Sequence, residues 1–329
     1  MFYLSMILGT LISISSLSWL TAWIGLEMNL LSILPLMKSF KNKMSTESMI
    51  KYFITQAIAS NILLFSIIIF TASINFSNFD FVSSMISLSL ASSLFLKMGA
   101  APFHFWLPEV ISSMPWHMVL ILLTWQKLAP MILLSNSMNN TMFLYSVIIF
   151  SAMIGSFLGI NQTCIRKIMA YSSINHMGWM ISALMISYNT WMLYFIIYSI
   201  INMNIIILLN KFNLYNLTQL FSIFSFNKKM KLLFMMNFFS LGGLPPFMGF
   251  LPKWITINQL INSSSYFMTM MLILLSLISL FFYIRLSFSS LTFNSTEYFK
   301  KSFWYSSFSL FLINLVSLMG LFLFSLVFF

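Results

Sequence analysis

Charge is scarce in this sequence. Only 6% of the 329 residues are Asp, Glu, Lys or Arg, and just five of them are acidic. A soluble domain carries roughly 25% charged residues, so no water-facing surface can be built from this chain. Cysteine is scarcer still. The single Cys164 excludes an intrachain disulfide framework and a cysteine-ligated cluster within the chain. The sequence has no glycine-rich phosphate loop, no haem-type histidine pair and no metal-binding spacing among its three histidines, so no redox chemistry is expected of this chain alone. The first apolar segment, residues 2–19, lacks a basic n-region and the Arg-rich amphipathic character of a transit peptide, so no cleavable signal is expected.

Apolar residues fill the space that charge leaves. They make up 60% of the chain and recur in runs from end to end. A membrane-spanning helix needs about 20 such residues, which gives on the order of 11 spans. Barrel strands would alternate apolar and polar residues. Stretches such as 61–70 and 267–283 do not alternate, so the backbone must satisfy its own hydrogen bonds as helix. The fold class expected is an all-α polytopic membrane protein. Its spans are placed at about 2–20, 22–38, 46–73, 82–113, 116–135, 141–161, 167–186, 190–210, 229–262, 266–288 and 304–327. The abundance of Met and Phe, 28 and 37 residues, matches the codon bias of an AT-rich organellar genome.

The net charge of +11 would suggest nucleic acid as a partner in a soluble protein, but here it reports topology. Lys38, Lys41, Lys43, Lys51, Arg166, Lys167, Lys211, Lys228, Lys229, Lys231, Arg285, Lys300 and Lys301 all fall at connections on one side of the eleven-span arrangement. The connections on the other side, around residues 75–81, 135–140, 188–189 and 262–265, hold no cation. This asymmetry puts the N-terminus and the basic loops on the cytoplasm-equivalent side.

Three of the sixteen cations remain: Lys97, Lys127 and Lys253, each inside an expected span. Glu27 lies inside another. A lysine at the bilayer centre costs about 2.5–3.5 kcal/mol even on lenient insertion scales, and such residues by default mark ion or proton pathways. Snorkelling or structural pairing would account for one such residue less expensively than for four. Desolvation favours the neutral form of an ionisable group and a nearby opposite charge favours the ionised form, so a buried amine poised between the two can take and release a proton. Glu27 and Lys97 would make such a pair if they meet. His104 and His176 lie in spans and could relay protons, or could be satisfied structural histidines; His117 lies near a helix end.

A second signal sits in the two spans too long for one simple crossing. Residues 99–108 read GAAPFHFWLP and residues 243–252 read GLPPFMGFLP, with Gly, Pro, Phe, Leu and Pro at identical spacing. An ionisable residue follows each copy, Glu109 in the first and Lys253 in the second. By the loop charges, the first copy runs toward the basic side and the second away from it. That is the inverted-repeat, broken-helix pattern of membrane transporters. Pro102, Pro245 and Pro246 remove backbone donors, so carbonyls are freed within the membrane.

Longer blocks carry a family resemblance. WIGLEMNLLSILPL (23–36), STESMIKYFITQA (45–57), LKMGAAPFHFWLPEV (96–110), LLTWQKLAP (122–130), RKIMAYSSINHMGWM (166–180) and SLGGLPPFMGFLPKW (240–254) closely resemble the antiporter-like subunits of mitochondrial respiratory complex I, in a form similar to the insect one. The resemblance covers nearly the whole chain. It implies two inverted five-helix bundles, residues 1–135 and 141–288, each with a broken fourth helix, followed by a C-terminal loop and last helix, 289–329. It implies proton translocation in the membrane arm, with Glu27 modulating Lys97, Lys127 central and Lys253 at the exit side. It further implies residence in the mitochondrial inner membrane, with N-terminus and basic loops on the matrix side and the C-terminus on the intermembrane side. The implied partners are other membrane-arm subunits and lipids such as cardiolipin, with no nucleic acid. NADH, FMN, iron–sulfur clusters and ubiquinone would be bound by other subunits, leaving no cofactor in this chain. The rival readings are an ion-translocating subunit of a cation/proton antiporter, which would carry extra N-terminal spans, and a structural membrane scaffold, which has no use for three intramembrane lysines.

Overall fold

The structure is a computed structural model that describes residues 1–38, 43–73, 80–138, 141–219 and 228–292. Among these residues the secondary structure is helical, with one isolated antiparallel bridge between Cys164 and Asn216 and no longer strand pairing. The chain forms two compact units, Met1–Ser151 and Ala152–Phe329. The eleventh expected span, 304–327, lies outside the described residues, as do Lys41, Lys300 and Lys301 and the expected C-terminal segment beyond Thr292.

The first unit contains α1 (Phe2–Ile14), α2 (Trp19–Met37), α3 (Lys43–Ser73), α4 (Asp80–Met98), α5 (Trp106–Ser113), α6 (Trp116–Leu123), α7 (Trp125–Ser135) and the start of α8 (Thr141–Ile160). Here α1 packs on α2, α3 on α4 and α5, and α7 on α4. The first span was expected to run to residue 20; the chain instead leaves the helix after Ile14 and starts α2 at Trp19. Serine explains the shift, because its hydroxyl competes for local backbone groups. The Ser15 hydroxyl takes the Leu11 carbonyl at 2.9 Å, and Ser18, in extended conformation, N-caps α2 by accepting from the Thr21 amide at 3.3 Å. The span expected at 116–135 is likewise broken, at Thr124, whose hydroxyl donates to the Leu120 carbonyl at 2.7 Å.

The second unit continues α8 and adds α9 (Ile165–Ile186), α10 (Tyr188–Phe212), α11 (Lys228–Gly242), α12 (Phe250–Asn262) and α13 (Tyr266–Thr292). α10 packs against α9, α11 and α12, and α13 against α11, α12 and α9.

Among the described residues, six segments are long and apolar enough to cross a membrane: Trp19–Met37, Lys43–Ala72, Trp116–Ser135, Thr141–Ile160, Tyr188–Phe212 and Tyr266–Leu286. Their side chains are arranged for a nonpolar surrounding. On α13, Phe267, Met270, Leu274, Leu277 and Phe281 form one exposed apolar stripe at helical spacing. Asn175, Asn202, Asn237, His176 and Lys253 are buried in the same unit. A soluble protein would reverse that distribution. The chain is a multi-pass membrane protein.

Candidate functional site: two helix breaks and the buried lysines

The two copies of the sequence repeat form the same local structure. In the first, α4 ends at Met98 and Gly99 takes a left-handed φ of 71°; in the second, α11 ends at Gly242 and Gly243 takes 76°. Left-handed backbone is costly for any residue with a Cβ, which accounts for glycine at both places. The capping bonds also match. The amides of Gly99 and Ala100 donate to the carbonyls of Leu96 and Phe95, and those of Gly243 and Leu244 donate to Ser240 and Phe239. This is the two-bond helix terminus that satisfies carbonyls left over at a C-terminal end. Phe103 then bonds Ala100, and Phe247 bonds Leu244, before the second half-helix begins. Both long spans therefore break where Gly and Pro predicted.

What reaches each break differs. At the first, Trp106 Nε1 donates to the Leu96 carbonyl at 3.0 Å, and the Trp106 ring meets Tyr52 of α3 edge-on at 5.6 Å. Lys97 lies in the last turn of α4 and is 7% exposed. The C-terminal end of a helix carries a partial negative charge, which favours a cation there. At the second break, phenylalanine replaces the tryptophan. Lys253, 6% exposed in the first turn of α12, donates from Nζ to the Gly242 carbonyl at 2.9 Å. Its ammonium also lies 5.7 Å from the ring centroid of Trp179 on α9.

Glu109 and Lys253 hold the same place in the repeat but not the same environment. Glu109 is exposed on α5 and forms a 2.9 Å salt bridge with Lys51 of α3, which also pairs with Glu47 at 3.0 Å. Side-chain exposures of 59% and 44% for Glu109 and Lys51 identify a surface ion pair. Lys51, counted with the loop cations by sequence, thereby fastens the second half of the broken helix to α3.

The expected partners of Lys97 are partly assembled. Half-buried Glu27 on α2 is near enough to exert a Coulombic effect on Lys97, yet no salt bridge closes between them. A small polar cavity lies beside Lys97, walled by Asn29, Tyr52, Gln56, Gln126 and Pro130. About 10 Å³ of it is open to the centre of a water molecule, room for about one water. Gln126 and Pro130, four residues apart, share the face of α7 that lines it. Lys127, 1% exposed, lies one residue and about 100° further round the helix. His104 is buried in the first break, with Nδ1 3.2 Å from the Pro102 carbonyl and its ring against Phe105. In the second unit, buried His176 pairs through Nδ1 with the Tyr194 hydroxyl at 2.9 Å. It lines a second small cavity with Tyr198, Ser240, Gly249 and Pro252, so α9 brings this histidine to the second break. His117 is exposed at the start of α6.

The reading of charged residues alone missed Asn29, Gln56 and Gln126, the amides that wall the Lys97 cavity. A signal existed, because each is a polar residue within an otherwise apolar run, and two of them stand within two residues of Glu27 or Lys127. The tyrosines 194 and 198 were also missed. Phenols are common in membrane helices at interfaces, and only packing reveals them around a histidine.

Residues 16–279 match a family profile described as NADH:quinone oxidoreductase/Mrp antiporter, TM. The chain is 45% identical to NADH-ubiquinone oxidoreductase chain 2 of Anopheles gambiae over 99% of its own length and 97% of that protein. It is 46% identical to the protein of the same name from Locusta migratoria over 88% and 84% of the two chains. Among solved structures, a chain of respiratory complex I from Thermus thermophilus superposes with a TM-score of 0.86 at 22% identity, covering 97% of this chain and 77% of that one. A chain of the Mrp complex from Dietzia gives 0.74 at 14% identity, over 87% and 59%. The two solved structures speak for the fold; the profile and the insect sequences speak for descent. With paired helix breaks and buried lysines on that fold, the chain belongs to the membrane family shared by NADH:quinone oxidoreductases and Mrp antiporters.

Proposed function

We propose that this chain is a proton-translocating, antiporter-like subunit in the membrane arm of a respiratory complex I. The single observation that carries the reading is the burial of Lys97, Lys127 and Lys253 within a molecule whose outer face is apolar. An amine in that setting holds its charge only while hydration, a counter-charge or backbone dipoles support it, and so can pass a proton on when those supports change. In the first unit Lys97 and Lys127 carry the proton, with Glu27 modulating Lys97 and His104 as a relay at the break. In the second unit Lys253 does so, with His176 as its relay. NADH, FMN, iron–sulfur clusters and ubiquinone are bound by other subunits, whose redox chemistry drives the transfers.

The same reading gives eleven spans in two inverted five-helix bundles, 1–135 and 141–288, followed by the segment 289–329. It places the chain in the mitochondrial inner membrane with basic loops toward the matrix and the C-terminus toward the intermembrane space. Other membrane-arm subunits and lipids such as cardiolipin are its neighbours. The 45% identity to proteins named NADH-ubiquinone oxidoreductase chain 2 favours this over an Mrp-type antiporter.

Lys127→Met in the assembled enzyme tests the proposal. Assembly and NADH oxidation by an artificial acceptor should survive, while protons moved per NADH oxidised should fall. An assembled variant with unchanged stoichiometry would overturn the role of Lys127.

A further inference from the structure

Two wall residues of the Lys97 cavity are bonded to each other twice. Asn29 Nδ2 donates to Gln126 Oε1 at 2.9 Å, and Gln126 Nε2 donates to Asn29 Oδ1 at 2.9 Å. The two lie 97 residues apart in sequence, on α2 and α7. An unpaired amide in an apolar interior is costly, and reciprocal pairing removes that cost for two amides at once. Each amide has two N–H donors and two lone pairs, so each retains one of both after the clamp is made. A third amide, Gln56 Nε2, lies 3.5 Å from the Lys97 carbonyl.

The clamp joins the helices that carry the proton-active groups. Glu27 precedes Asn29 by two residues on α2, and Lys127 follows Gln126 on α7. Glu27 and Lys127 fill the neighbouring positions, whereas the polar groups facing the one-water cavity are Lys97 itself, the Tyr52 phenol and three amides. An amide can donate to and accept from water, but it does not take up or release a proton at the pH where lysine and glutamate do.

We propose that Asn29 and Gln126 are positioning residues for proton transfer at Lys97: a non-titrating clamp that holds α2 to α7 and walls the cavity with groups able to orient a water without capturing its proton. This rests on the reading of Lys97 as a proton carrier. Neither clamp amide gives the proton a resting place, so the α2 and α7 side of the wall leaves it on the water or on Lys97, with Tyr52 the one other ionisable side chain lining the cavity.

The test uses the assembled enzyme in sealed vesicles, reading protons moved per NADH oxidised beside the thermal stability of the complex. Asn29→Leu and Gln126→Leu should lose pumping to the extent that Lys97→Met does. The exchange variant Asn29→Gln/Gln126→Asn, which preserves two amides and their combined length, should recover most of that loss. The discriminating variant is Gln126→Glu. Its protonated form matches the amide in shape and bonding, so a structural brace would be kept and pumping with it. A clamp that must not titrate loses pumping at unchanged thermal stability. Normal pumping by Gln126→Glu overturns the proposal, and so does normal pumping by either leucine variant. If a leucine variant fails to assemble, Gln126→Glu still decides. Normal pumping by Lys97→Met would instead remove the reading on which the proposal rests.

Discussion

Lys253 caps the helix that ends at Gly242. Its ammonium donates to that residue's carbonyl at 2.9 Å across the break, with its alkyl stem lying over Gly243. Lys97 reaches the equivalent end of α4 from within the last turn of that helix. The two lysines do not correspond in the sequence repeat, yet each sits where a half-helix presents its negative end inside the protein. A helix C-terminus steadies a cation there without a full counter-charge, which leaves the proton more readily exchanged than a tight ion pair would.

Replacing Lys253 with Met should abolish its contribution to pumping and leave the Gly242 carbonyl short of its partner. An unsatisfied buried acceptor costs roughly 1–3 kcal/mol, so the assembled complex should also melt at a lower temperature. Proton stoichiometry and a thermal melt of the solubilised complex measure the two effects separately.

Gly243→Ala should disturb the same contact from the other side. The residue has φ of 76°, and a Cβ there would lie 2.9 Å from Lys253 Cδ. Left-handed backbone alone costs an L-residue about 1–2 kcal/mol, and displacing the lysine stem adds to it. The expected result is lower stability together with reduced pumping. Unchanged pumping would mean that Lys253 works without its carbonyl bond.

Trp106→Phe makes the first break resemble the second, where Phe250 occupies that repeat position. It deletes the bond to Leu96 but leaves that carbonyl its bond from Gly99. The loss should stay near that of one net hydrogen bond, about 1 kcal/mol, visible as a small downward shift in the melt.

Glu109→Gln should pump like the unsubstituted enzyme. Glu109 shares its repeat position with Lys253 but forms an exposed pair with Lys51. A large loss of pumping would show that repeat position, rather than burial, selects the working residues.

Topology can be read by labelling single cysteines in a Cys164→Ser background. Ser264 and Asn161 are both exposed, and an impermeant thiol reagent should reach cysteines at these positions from opposite sides of the membrane. Labelling from one side only would break the eleven-span arrangement.

The amino-acid sequence alone settles the membrane class, the helical backbone and the places where two long spans break. These depend on local quantities: the length of an apolar run, the sparsity of charge, and the φ and donor limits of Gly and Pro. It also singled out the three lysines, because charge inside an apolar run is visible without knowing what surrounds it. The first helix boundary at Ile14 is different: it follows from local serine hydroxyl bonds, which hydropathy does not register. Other features came only from tertiary structure. Packing made Glu109 a surface ion pair and Lys253 a buried cap, although the repeat treats them alike. The amide pair of Asn29 and Gln126 joins residues 97 positions apart. An apolar helix has no sequence periodicity that says which neutral polar residue turns inward, or what it meets there; only the packing of α2 against its neighbours decides that.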